Sequence, residues 1–333
     1  MKKFFMIIGL VLLALMILFA LGPSPDKPSL RIDLPEVSND LGALETSIRD
    51  AERQVTGLKP DNESRIFWRD SIPQKTPYSI VYLHGFTASW AEGEPIHREF
   101  ARRYGCNLYI PRLYAHGLSD KDAMLTFDSD SLLASAAAAL AVGKQIGEKV
   151  ILMSTSTGGT LSLMLAAKFP EIAGIIAYSP NIAIANSAAF LLNGPWGLNI
   201  AQMVYEGEYR TYDAPENYKK YWSTTYRLEA LVELQNLLEY GMTEATFAKV
   251  TQPFFLGYYY KNEEEQDPVV SVAAMQEMFR QIHTPPEQKR EVAFPTVGDH
   301  ILASYLKSQD LDTVRAATFS FAEEVLRLKP QEN

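Results

Sequence analysis

The sequence predicts an α/β protein: a mostly parallel central sheet covered by helices on both faces, with a helical cap inserted before the sixth of seven strands. Three observations lead there. Short apolar, β-branched or aromatic runs alternate with helical stretches from Gly57 onward. Runs such as Ile80-Val81-Tyr82-Leu83 and Val150-Ile151-Leu152-Met153 are continuously apolar, as strands covered on both faces require. One interval, Asn181 to Val250, separates two strands by about seventy residues where a crossover needs only a dozen or more, so it is an insertion.

The predicted strands are Arg65–Trp68, Ser79–His84, Leu108–Ile110, Val150–Ser154, Gly174–Tyr178, Phe254–Tyr258 and Arg290–Phe294. Between them, Ser129–Ile146 has a long alanine-rich helical composition, and Gly158–Phe169 reads as a helix stopped by Pro170. The insertion holds Trp196, Trp222 and seven tyrosines, with helical periodicity over Leu228–Leu238. It reads as a cap or lid over a binding site; the alternative is an extra structural subdomain away from substrate. Upstream, Leu41, Leu44, Ile48 and Val55 recur at helical spacing among charged residues, which predicts an amphipathic helix ending near Gly57.

With 333 residues, 47% hydrophobic and 21% charged, the chain has the composition of a folded globular protein with a sizeable core. A net charge of −9 argues against a nucleic-acid partner, which needs a basic face. Cys106 is the single cysteine, so neither an intrachain disulfide nor a cysteine-held zinc is available, and its place before a strand suggests a packed thiol.

Residues 1–22 form a targeting segment. Met1-Lys2-Lys3 precedes eighteen uncharged residues, Phe4 to Leu21, and a helix of that length reaches roughly 27 Å against a hydrocarbon core of ~30 Å. Ala20-Leu21-Gly22 offers a signal-peptide cleavage site, but Pro23 would follow the cut directly, so retention as an anchor is favoured over cleavage and secretion. The two lysines place residues 23–333 outside the cytoplasm. Pro23, Pro25, Pro28 and Pro35 keep residues 22–36 extended, as a tether would be, so residues 23–60 divide into tether and amphipathic helix.

In parallel sheets ligands bind outside the carboxyl ends of the strands, and four elements there carry chemistry. Val150–Met153 runs into Ser154-Thr155-Ser156-Thr157-Gly158-Gly159 and then a helix, the geometry of a nucleophile elbow with Ser156 at its tip. The positions two before and two after must be small, normally glycine; here they are Ser154 and Gly158. His84-Gly85-Phe86-Thr87 follows another apolar strand, and Phe86 N–H together with Thr157 N–H can receive an oxyanion. His84 itself reads as a loop-shaping residue. His300 alone of the five histidines follows the last strand, which makes it the candidate general base. For the acid, Asp267 precedes Pro268 and an apolar pair that would draw it inward, whereas Glu263–Glu265 reads as a solvated cluster; Asp299 is the alternative.

The order Ser156, Asp267, His300, with the His84-Gly85-Phe86 turn earlier, resembles the α/β-hydrolase superfamily over roughly residues 62–180 and 251–325. Within it the chain is similar to the capped carboxylesterase and monoacylglycerol-lipase-like group. The resemblance implies a core of residues 61–180 and 251–333, a cap of residues 181–250, and cleavage of carboxylic esters through an acyl-enzyme on Ser156 without a cofactor or metal. It also implies that Pro111–Gly117 approaches the site, with Tyr114 and His116 as candidates for lining the pocket, although a loop-fixing hydrogen bond is the favoured reading of His116. The aromatic cap suits an ester with an apolar acyl or aryl group, and the anchor makes the membrane a second partner. The same scaffold serves acyltransferases, thioesterases and carbon–carbon hydrolases, and a non-catalytic tethered binding protein is the reading from another class.

Overall fold

A computed structural model describes residues 2–331. In chain order the helices and strands are α1 (Lys2–Ala20), α2 (Leu41–Arg53), β1 (Arg65–Phe67), β2 (Thr76–Leu83), α3 (Ile96–Tyr104), β3 (Asn107–Ile110), α4 (Ser129–Ile146), β4 (Gly147–Thr155), α5 (Thr157–Lys168) and β5 (Gly174–Tyr178). The insertion, residues 181–250, contributes α6 (Gly197–Val204), β6 (Tyr209–Thr211), α7 (Glu216–Lys219), β7 (Thr225–Arg227), α8 (Glu229–Gly241) and α9 (Glu244–Phe247). The chain then returns through β8 (Phe254–Tyr259), α10 (Val272–Gln281), β9 (Lys289–Phe294) and α11 (Leu311–Glu324).

Seven strands form one sheet in the order β1-β3-β2-β4-β5-β8-β9. Only β1, at the edge, runs antiparallel to its neighbour. Because successive side chains of a strand leave opposite faces, each continuous apolar run feeds two cores. On one face Val81, Leu83 and Leu152 pack with α4, α5 and α8; on the other Ile80, Tyr82, Ile151 and Met153 pack with α3 and α11. The alanines of α4 let it lie close to the sheet, and a Cβ built on Gly143 would strike Val81 Cγ2 at 2.4 Å. Asp128 caps that helix by accepting Ser131 N–H.

Three parts differ from the sequence expectation in detail. Residues 22–36 are extended, but they are docked on the domain. Ser29 and Leu30 N–H donate to Asp130, Asn236 donates to Asp26 O, and Leu30, Ile32 and Leu34 pack on the main core. The insertion is also not wholly helical: β6 and β7 pair as a small antiparallel ribbon, too short to stand out as periodicity. Its helix α8 sends Ala230, Leu234 and Leu237 into the main core, so the insertion is rooted in the domain. Helix α2, capped by Asp40, ends at Arg53 rather than near Gly57, buries Leu44, and ties to the domain through Trp68–Glu45 and Arg112–Glu52 bonds. The 18-residue stretch Lys3–Ala20 of α1 is long and apolar enough to cross a membrane, and none of it is buried in the domain.

Candidate active site

Strand β4 ends at Thr155, and the next residue, Ser156, turns sharply at φ 54°, ψ −121°. A non-glycine residue at positive φ stores strain of ~1–3 kcal/mol, so the surroundings must hold it. They do: Ser156 N–H donates to Tyr178 O at 3.0 Å, and Ser156 O accepts Gly159 N–H and Asn181 N–H at 2.8 and 2.9 Å. Helix α5 then starts so close to β2 that a Cβ on Gly158 would lie 1.9 Å from Leu83 O. Glycine is obligatory there. Ser154 is different: it is still a strand residue, registered against Leu83 and Ala177, where a small side chain fits. That explains why the elbow tolerates serine at the position where glycine is usual.

The turn after β2 is built by buried polar groups. His84 Nε2 accepts Leu113 N–H at 3.2 Å and its Nδ1 lies 2.9 Å from Gly85 O, so the ring carries its proton on Nδ1 and donates it to that carbonyl. Burial, and then the neighbouring His116, hold His84 well below the usual histidine range, so it stays neutral and structural. Among the described residues no acceptor engages Phe86 N–H or Thr157 N–H, the two donors expected to receive an oxyanion.

Asp267 and His300 are brought together. Asp267 is buried after β8, with Oδ2 2.7 Å from His300 Nδ1 and Oδ1 accepting Val269 and Val270 N–H at 2.9 and 3.0 Å. Burial pushes its pKa up, but the His300 charge and these bonds outweigh burial and leave it below the usual carboxylate range. His300 is the mirror case: burial lowers it, while the charge and hydrogen bond of Asp267 outweigh burial and raise it above the usual imidazole value. Asp299 instead pairs with Lys307 at 2.9 Å and accepts Ile301 N–H, so it does not meet His300 Nδ1.

Ser156 and His300 open into one cavity of about 600 Å³, walled by Phe86 and by residues of the insertion that include Ile200, Trp222, Tyr226 and Leu234. Tyr114 and His116, the candidates for lining it, do not, and His116 instead makes the kind of loop-fixing bond that is its favoured reading. His116 is buried behind Phe86 and bonded through Nδ1 to Tyr114 O, and Tyr114 is on the outer surface; Phe86 takes the place assigned to them. The lining also includes Glu92, which sequence reasoning missed. Cys106 is buried, which pushes its thiol up to about 12. Among the described residues no group of three or more His, Cys, Asp or Glu side chains is placed to hold a metal ion.

Comparison with known proteins agrees with this architecture. The thermostable monoacylglycerol lipase of Bacillus sp. (strain H-257) is 30% identical over 118 residues, 35% of this chain and 46% of that protein, so the match spans about half of the relative's length. A structure of the metagenome-derived lipolytic enzymes LipS and LipT superposes with a TM-score of 0.63 at 18% identity, covering 81% of this chain and 99% of the other. The monoacylglycerol lipase of Paleococcus ferrophilus gives 0.57 at 14% identity, over 80% and 98% of the two chains. At such identities these structures speak to the fold. The profile of the Alpha/beta hydrolase family matches residues 80–316, most of the chain, and the protein therefore belongs to the Alpha/beta hydrolase family.

Proposed function

We propose that the protein is a serine hydrolase of the esterase and lipase type, cleaving carboxylic esters through an acyl-enzyme on Ser156. The observation that carries this reading is the strained Ser156 elbow sharing an apolar cavity with a buried His300–Asp267 pair. Ser156 Oγ attacks the acyl carbonyl, and His300 takes its proton through Nε2 while Nδ1–H stays on Asp267. The oxyanion meets Phe86 and Thr157 N–H, each such donor being worth ~100- to 1,000-fold in rate. His300 then protonates the leaving alcohol, and water repeats the sequence on the acyl-enzyme. The relative that is a monoacylglycerol lipase, and the apolar walls from the cap, support an ester with an apolar acyl or aryl group.

We divide the chain into an anchor or signal (1–22), an extended segment with α2 (23–60), a hydrolase core (61–180 and 251–333) and a cap (181–250). The core works outside the cytoplasm, near lipids if α1 is retained. The test is the full chain with a fluorophosphonate probe and a series of p-nitrophenyl esters, beside Ser156→Ala. Labelling at Ser156 with ester turnover, both lost in the variant, is expected; no labelled serine and no cleaved ester would overturn the reading. N-terminal sequencing of the membrane fraction decides retention, since a mature start near Pro23 excludes it.

A further inference from the structure

Glu92 sits in the single helical turn Trp90–Gly93 behind the Gly85–Phe86 turn and is 2% exposed. Its Oε2 accepts Gly85 N–H at 2.5 Å, and the side chain lines the same cavity as Ser156 and His300. A methyl group built on Gly85 would lie 2.8 Å from Glu92 Oε1 and 3.0 Å from Ser156 Cβ, so carboxyl and nucleophile flank one glycine. Among the described residues no lysine or arginine pairs with it.

The groups that face it are few. Tyr82 comes from β2, its hydroxyl bonded to Thr155 Oγ1; His300 and Asp299 come from the loop after β9; Tyr218 comes from α7. Asp267 stands behind His300, and Lys307, which also lines the cavity, is committed to Asp299. Burial pushes the Glu92 carboxyl up to about 8, against the opposing pull of Gly85 N–H, His300 and Tyr82, which favours its uncharged form.

We propose that Glu92 is a positioning residue whose carboxyl, bonded to Gly85 N–H and facing the same cavity as Ser156 and His300, holds the Gly85–Phe86 turn ready for an acyl oxygen, and that a negative charge on it slows the site. The inference rests on the serine-hydrolase reading above. The neutral carboxyl supplies the acceptor that Gly85 N–H needs without adding charge beside the place where an oxyanion forms. Once ionised, it places a like charge beside that oxyanion and opposes its formation.

The test is the pH profile of fluorophosphonate labelling and of kcat/KM on a p-nitrophenyl ester, measured on the full chain, Glu92→Gln and Glu92→Ala. The wild type is expected to fall roughly tenfold per pH unit above about pH 8. Glu92→Gln keeps an acceptor for Gly85 N–H and cannot ionise, so its profile loses the alkaline fall. Glu92→Ala, without an acceptor, is expected to be slower about tenfold or more at every pH. An unchanged alkaline fall in Glu92→Gln, or a wild type with no such fall, overturns the proposal. Failure of the hydrolase reading looks different, because Ser156 would then label at no pH. Should the variants not fold, infrared titration of the wild type decides: a protonated-carboxyl stretch that persists at neutral pH and vanishes through about pH 8 is expected, and its absence at neutral pH refutes the idea.

Discussion

Replacing Asp267 by asparagine should cost the enzyme far more than the loss of one charge. Asp267 Oδ1 already accepts two backbone N–H groups, from Val269 and Val270. An asparagine keeps those bonds only by placing its carbonyl oxygen there, which turns its NH2 toward His300 Nδ1. Nδ1 must then accept, the ring proton moves to Nε2, and in the proposed mechanism Nε2 becomes a donor that cannot take the serine proton. The same tautomer error in a serine protease triad costs about 10⁴-fold, so a loss of roughly 10³- to 10⁴-fold in kcat/KM is expected, or about 4–5.5 kcal/mol of transition-state stabilisation. Asp299→Asn removes only a half-exposed pair with Lys307, worth about 1 kcal/mol or less, and should slow turnover by under ~10-fold. Initial rates on a p-nitrophenyl ester, with labelling rates as a second readout and circular dichroism to confirm folding, measure both. A larger loss in Asp299→Asn than in Asp267→Asn would refute the assignment of the acid.

Gly158→Ala puts a Cβ against the Leu83 carbonyl, a backbone group fixed in the β2–β4 ladder, so relief requires moving the elbow; about 3 kcal/mol and roughly 4–5 °C in Tm are expected, with labelling at Ser156 lost. Ser154→Ala removes a buried hydroxyl that has no partner among the described residues, and thermal melts should show no loss of stability, or a gain. The Asp267–His300 pair also sets a pH window. Asp267 is held below its ordinary pKa, so its contribution to stability is present above ~3.9 and fades as pH falls through the lower folded value; His300 is held above its own, so its contribution is full below ~6.5 and fades as pH rises through the folded value. Denaturant melts should therefore give the largest difference between wild type and Asp267→Asn between about pH 4 and 6.5. Cys106 should resist thiol reagents in the native chain and react once it is unfolded, as monitored by mass spectrometry.

The sheet was legible because burial on two faces writes itself locally: Ile80–Leu83 and Val150–Met153 have no polar side chain to turn outward, and each run became a central strand. Long-range contacts leave no such trace. Proline at positions 23, 25, 28 and 35 signals extended chain equally well for a free tether and a docked one, and what docks it is Asp130, a hundred residues away. The β6–β7 ribbon was invisible for a related reason. Three residues per strand are too few to show a period of two, and Tyr209–Thr211 finds its partner only after α7.

Within the site, the residues that could be read were those whose side-chain chemistry and place after a strand coincide: Ser156, Asp267 and His300 each follow an apolar run. Glu92 and Phe86 show where that logic stops. Phe86 was found for its N–H, yet its ring also walls the cavity, and it screens His116 from the space that His116 was a candidate to line. Glu92 lies six residues beyond the turn in Ser89-Trp90-Ala91-Glu92-Gly93, a stretch with no motif, and a glutamate in such a stretch is ordinarily solvated. Its distinctive property, a carboxyl pushed up by burial, comes from having water removed by Tyr82, the Gly85 turn and residues of the insertion, which are joined only by folding. A sequence names the groups that can carry a proton; which of them carries it at a given pH is decided by desolvation, and desolvation belongs to the assembled site.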